Sequence, residues 1–180
     1  SWSCFHGVGR WSEDCGCSTG GHPGWNQKWR KPLREALDYL RDETVAIYKK
    51  HGKKYFLNPE LTRDSYINVI LDRSENSVKS FQEEYFVPNL ETEDKIKAME
   101  LLEIQRQAML MYTSCGWFFA DISGIETPQI MKYAARAMQL AASFSNEDYE
   151  RHIKEVIAMG ARLAAPSVQR MRNVESREIA

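Results

Sequence analysis

From residue 30 onward the apolar residues of this chain recur at helical spacing, and that periodicity limits the fold more than any other feature. Leu33, Ala36, Leu37, Leu40, Thr44, Ile47 and Tyr48 keep to one face at a period of about 3.6 residues, with Pro32 in a first-turn position and Gly52 as the expected stop. Asn58 before Pro59 reads as a cap followed by a first-turn proline, and Leu61, Tyr66, Ile67, Ile70 and Leu71 supply a second stripe. Ser74 predicts the cap of a third helix carrying Val78, Phe81 and Tyr85, which ends before Pro88. Thr92 predicts the cap of a long fourth helix through Ile96, Met99, Leu102, Ala108, Met109 and Tyr112. Thr127 before Pro128 repeats the cap-then-proline signal ahead of Ile130, Met131, Ala134, Ala135, Met138 and Ala142. Ser145 or Asn146 opens a sixth helix through Tyr149, Ile153, Val156, Ile157 and Leu163, and a frayed seventh is expected around Val168 and Met171.

No stretch alternates apolar and polar residues over a strand's length, and no Asn-Gly hairpin signal occurs. The expected fold class is therefore all-α: an antiparallel helical bundle over residues 31–165, a loop-rich Cys/Trp arm over 1–30 and a tail over 166–180. At 180 residues the chain suits one domain. A net charge of −1 gives no bulk attraction to nucleic acid or anionic lipid, and no apolar run reaches the ~18 residues of a membrane span. Neither nucleic acid nor membrane is expected as a partner. The sequence starts with Ser inside what reads as a motif, so the chain is taken as a piece of a larger protein, with a cytoplasmic setting expected.

The arm concentrates unusual chemistry. Residues 1–30 hold three of the four cysteines, two of the four histidines and four of the five tryptophans. Cys4, His6, Cys15 and Cys17 are soft side chains of the kinds that close a tetrahedral zinc site. Cys15-Gly16-Cys17 leaves one residue between ligands where two are usual, so free thiols buried among tryptophans are preferred, with zinc as the alternative. No other cofactor is expected. Trp2, Trp11, Trp25 and Trp29 offer flat apolar planes on which the C–H faces of a sugar ring can pack, and Asn26, Gln27, Arg10, Asp14 and His6 can bond hydroxyls around them. Packing of the same tryptophans on the bundle is the competing account. Trp25 and Trp29, four apart and leading into the Leu33/Leu37 face, predict that at least one of the two is packed there.

The second break in the helical pattern is MYTSCGWFFADISGIETPQ, residues 111–129. Trp117, Phe118 and Phe119 are consecutive, and consecutive helix positions point about 100° apart, so at least one must face away from the core. Cys115 is expected within reach of the arm's thiols.

The runs SCFHGVGRW, DCGC, GWNQKWRKPLREALDYLRD and TSCGWFFADISGIETPQ together closely resemble a domain of unknown function, number 3536. The resemblance implies a helical region that follows a glycoside hydrolase family 57 barrel and leans over its active-site cleft. TSCGWFF looks like a divergent form of that family's Trp-rich stretch, with Cys115-Gly116 where others carry an acidic residue. By this resemblance His6, Trp11, Trp25, Asn26, Trp117 and Phe118 would contact an oligo- or polysaccharide, and the barrel upstream in the same chain would be the partner. The two carboxylates such hydrolysis requires would lie on the barrel, so no catalytic residue is expected here and the isolated domain should be inactive. A structural or docking module, with its arm tied by zinc, is the alternative.

Overall fold

The computed structural model describes residues 4–17, 25–120, 122, 124–146, 148, 149, 151 and 158. Trp2, most of the expected sixth helix and all of the tail lie outside them. The described residues form a short 3-10 turn, Gly9–Trp11, and seven helices: α1 (Arg30–Tyr55), α2 (Pro59–Ser65), α3 (Ile67–Leu71), α4 (Glu75–Tyr85), α5 (Thr92–Leu110), α6 (Cys115–Phe118) and α7 (Glu126–Ala141). No strand occurs among the described residues; Phe56 and Phe86 form one isolated antiparallel bridge. The fold is all-α, and no helix among the described residues is long and apolar enough to cross a membrane.

The core is a layer of three long helices, α1, α5 and α7, each packed on the other two. Their directions follow from side-chain pairs. Lys54 at the end of α1 meets Asp94 at the start of α5 at 2.8 Å, and Asp38 near the start of α1 accepts a hydrogen bond from Tyr112, just past the end of α5, at 2.7 Å. Lys97 near the start of α5 lies 5.4 Å from the ring of Phe144, which follows α7. Thus α5 runs antiparallel to both neighbours, while α1 and α7 run parallel, as the 5.5 Å approach of His51 to Phe144 shows. Leu33, Ala36, Leu37, Leu40, Ile47 and Tyr48 of α1 are buried against Leu101, Leu102, Ile104 and Ala108 of α5 and Ile130, Ala134 and Ala137 of α7.

Several boundary signals hold and several move. Asn58 caps α2 by accepting from the Leu61 amide at 3.1 Å, and Ser74 caps α4 by accepting from the Ser77 amide at 3.3 Å. Gly52 does not stop α1, which continues to Tyr55; a Cβ there would lie 3.2 Å from Pro59, so the glycine admits the start of α2. The second stripe is shifted: Thr62, Tyr66 and Val69 are buried, whereas Leu61, Ile67 and Leu71 face solvent. Thr92 is the first residue of α5 rather than its cap, a place taken by Glu91. Thr127 is the second residue of α7 rather than its cap, a place taken by Ile125, and its hydroxyl donates to the Gly116 carbonyl at 2.8 Å.

That hydrogen bond marks a close approach of α6 to α7. Gly116 is buried, and a Cβ on it would overlap the side chain of Ile130 on α7. Gly116→Ala should therefore destabilise the domain by about 1–3 kcal/mol through overpacking. Urea unfolding measures this, and an unchanged midpoint would show that α6 does not rest on Ile130.

Candidate functional site

The arm meets the bundle where α1 begins and α6 ends, and the side chains that join them are buried cations. Arg30 opens α1 with a fully buried side chain. Its Nη2 donates to the carbonyls of Phe118 and Phe119, both at 2.9 Å. Its Nη1 donates to Gln27 Oε1 at 2.6 Å and reaches Cys15 Sγ at 4.0 Å. Burial pushes the guanidinium down to about 10, and the cysteine beside it offsets part of that fall. Arg10, also buried, donates from Nη1 to the Phe118 carbonyl at 3.0 Å and lies over the Phe118 ring, 4.9 Å from its centroid. One turn into α1, Arg34 donates to the Trp11 carbonyl at 3.1 Å and to Asp38 at 2.9 Å.

Taking a guanidinium out of water costs several kcal/mol unless charge or hydrogen bonds replace the solvent. Here the exit of α6 supplies neutral acceptors, because Phe119 is already extended and the last carbonyls of so short a helix have no partner of their own. Among the described residues no carboxylate lies within ion-pair distance of Arg10 or Arg30, and neither Nε finds an acceptor.

Beside Arg30 the arm folds its soft side chains together. One ligand atom from each of Cys4, His6, Cys15 and Cys17 lies within 4.8 Å of all the others. Tetrahedral zinc, with bonds of about 2.3 Å to sulfur, sets its sulfurs roughly 3.8 Å apart, so the group is metal-sized with slight closure needed. The single residue between Cys15 and Cys17 does not prevent convergence, because Gly16 sits at φ +73 and turns the chain; Gly7, at φ +60, does the same after His6. Cys17 Sγ lies 3.3 Å from His6 Nδ1. The Cys15 thiol donates to Gln27 Oε1 at 3.1 Å, while Gln27 Nε2 donates to the Cys17 carbonyl. Desolvation, then the neighbouring Cys15 and Cys4, hold the Cys17 thiol above its ordinary range. Crowded thiols resist becoming thiolates without a cation to share. No disulfide joins these four cysteines; the expected burial needs correcting, since Cys4, Cys15 and Cys17 are half-buried and grouped, and Cys115, expected within reach of them, is exposed and outside the group.

The six residues read as sugar contacts part company. Trp117 must be withdrawn: it is 1% exposed, stacked on Trp29 with centroids 6.1 Å apart, and its indole Nε1 donates to the Met111 carbonyl at 3.1 Å. Trp29 is buried as expected, its Nε1 donating to the Ala120 carbonyl at 3.4 Å. Phe118 is half-buried, edge-on to Trp11 at 6.5 Å and to Phe119 at 5.2 Å. Trp11, Trp25 and Asn26 are half-buried, and the Asn26 side chain accepts from the Lys28 amide at 3.1 Å. His6 is exposed and belongs to the thiol group. Of the consecutive aromatics, Phe119 is the one that faces solvent. Arg10 and Gln27, expected to bond sugar hydroxyls, are buried and spent on the protein itself.

Sequence reasoning did not single out Arg30 or Arg34. The signal was there: Arg30 precedes Leu33 and Leu37 by three and seven positions, on the buried face of α1.

Elsewhere, a surface concavity of about 650 Å³ is lined by Tyr66, Arg73, Glu100, Glu103 and Arg136 among others. It holds no idle acid among these. Glu103 accepts from Tyr66 at 2.8 Å, Arg73 at 3.1 Å and Arg106 at 3.2 Å, and Glu100 pairs with Lys97 at 3.1 Å. Burial alone would raise Glu103, but the bonds from Tyr66 and Arg106 hold it below the usual carboxylate range.

The family model of a domain of unknown function (DUF3536) matches residues 25–170, and the chain belongs to that family. The match covers the helices, the Trp29–Trp117 stack and Arg30, and begins after the thiol group. No curated protein and no solved structure matches the chain.

Trp117→Ala should cost about 3–5 kcal/mol in urea unfolding, as for other large aromatic truncations in a core. Phe119→Ala, two positions on, should stay within about 0.5 kcal/mol. Equal losses for the two would mean that the inward and outward faces of this segment are misassigned.

Proposed function

We propose that this domain partners a family-57-like catalytic barrel in a carbohydrate-active protein and forms one lip of its sugar cleft. The observation that carries the reading is the apolar surface around the arm–α6 junction. Phe5 and Val8 before the 3-10 turn, Phe119 at the α6 exit and Ile125 ahead of α7 all stand in solvent, with Trp11 and Phe118 half-buried between arm and helix. Large side chains left in water around one junction call for a covering surface. A barrel contributes that cover, and an oligo- or polysaccharide lying between the two finds aromatic planes on this side. The barrel supplies both carboxylates of the hydrolysis. The quoted motif runs support the reading alongside the exposed surface.

The thiol group favours a second reading, a docking module whose arm is tied down by zinc. Three thiolates and an imidazole suit that ion better than they suit hard cations. Cysteines grouped this closely without a disulfide suit a reducing compartment such as the cytoplasm. The two readings are compatible, since a fixed arm is what a cleft lip needs.

The protein carrying both barrel and helical domain decides the first reading. The Phe5→Ala/Phe119→Ala double variant should lower kcat/KM on α- or β-glucan oligosaccharides by roughly tenfold, about 1.4 kcal/mol of lost contact. Its melting midpoint should stay within about 2 °C. Unchanged kcat/KM, or no hydrolysis of any glucan by the parent protein, would overturn the cleft reading.

A further inference from the structure

We propose that the thiol group forms an anionic zinc centre whose counter-charge is Arg30, and that zinc thereby sets the order of the segment 117–120. This rests on the zinc reading above and goes beyond it, because it assigns a charge partner and a controlled element to the site.

The charges lead to this conclusion. Arg30 and Arg10 are two buried cations with no carboxylate at ion-pair distance among the described residues. The nearby acids of the arm do not fill the gap: Glu13 and Asp14 are exposed, and Asp14 Oδ1 accepts from the Gly16 amide at 3.0 Å. Zinc binding breaks three S–H bonds at Cys4, Cys15 and Cys17, forms three Zn–S bonds and one Zn–N bond to His6, and releases three protons to water. Nothing is oxidised or reduced. A dication held by three thiolates and a neutral imidazole carries one net negative charge, the sign that Arg30 lacks at ion-pair distance among the described residues.

Geometry supplies the coupling. Arg30 Nη1 reaches Cys15 Sγ at 4.0 Å, and a thiolate in that place is a far better acceptor than a thiol. N–H donors to metal-bound sulfur are the outer contacts that orient and tune such ligands. The other terminal nitrogen of the same guanidinium holds the Phe118 and Phe119 carbonyls at 2.9 Å. Gln27 completes the link, since it accepts from Arg30 and donates to the Cys17 carbonyl; the bond it accepts from the Cys15 thiol is given up with that proton when zinc binds. One planar, five-donor side chain thus spans the metal group and the α6 exit. With the thiols neutral, Arg30 keeps its carbonyl partners but loses its anion, and the exit segment loses the charge that anchors its anchor. Arg30 is a positioning residue in this scheme; Cys4, His6, Cys15 and Cys17 are the ligands.

Elemental analysis of the full-length protein should find one zinc per chain, reduced by Cys17→Ser. Cobalt exchanged into the site should give sulfur-to-metal charge-transfer absorption. Arg30→Gln should weaken zinc in a chelator competition by roughly 10- to 100-fold and shift that absorption, with Arg30→Lys, which keeps the charge, recovering part of the affinity. Because Arg30→Gln can also impair folding, the unaltered protein provides a second measurement. Removing zinc with a chelator should speed hydrogen exchange at the 117–120 amides and leave α4 unchanged. No zinc on the parent protein would overturn the zinc reading and this inference together. Zinc present, but with exchange at 117–120 indifferent to its removal, or with a folded Arg30→Gln variant of parental affinity, would overturn this inference alone.

Discussion

Arg30 places a full positive charge where water does not reach, and the end of the molecule that carries the unusual chemistry is arranged around it. The last carbonyls of α6 turn towards it, Gln27 braces it, and a sulfur ligand sits at its edge. The helix α6 is only four residues long and could not persist by its own hydrogen bonds. It persists because Trp117 stacks on Trp29 on one side, Gly116 lets it press on Ile130 on another, and Arg30 gathers its exit. These three contacts come from α1 or the residues just before it and from α7, so the short helix is a wedge between the two parallel long helices.

The division between core and surface within residues 117–119 follows from the same arrangement. Trp117 has a polar edge that needs a partner, and the Met111 carbonyl provides it inside the protein. Phe119 has no polar atom in its side chain and leaves the helix as the backbone extends, which turns its ring outward. Phe118 between them is gripped by Arg10 and by the edge of Trp11, so it belongs to the joint rather than to either surface.

Much of the fold was legible because long helices bury one face, and a period near 3.6 residues records this directly in the sequence. The stripe of α1 was read residue by residue. The α2–α3 stripe slipped because Tyr66 separates two helices too short for a period to declare itself, and the buried positions became Thr62, Tyr66 and Val69. Gly52 and Thr127 were misread for one shared reason. Each carries a residue type that usually ends or begins a helix, yet each is set by a neighbour distant in sequence or across a turn: Pro59 for the glycine, the Gly116 carbonyl for the threonine. The site was legible in kind and not in placement. Residue types named Cys4, His6, Cys15 and Cys17, but their convergence depends on left-handed turns at Gly7 and Gly16 that spacing alone does not reveal. Arg30 escaped notice because a charge at a helix start is normally read as solvated, and Trp117 was sent outward because its burial depends on stacking with a residue 88 positions away.

Two sets of contacts in the bundle differ in how far along the chain they reach. Tyr48, Tyr55, Phe56, Tyr66, Phe81 and Phe86 form a chain of ring contacts contained within residues 48–86. Where the arm joins α1 and α6, Arg30 bonds across 88 positions and Arg10 across 108. Closing a long loop costs more entropy than closing a short one, and contacts of high sequence separation form late. The ring contacts within residues 48–86 therefore close shorter loops than the bonds that fix the arm, and docking the arm carries the larger entropic cost.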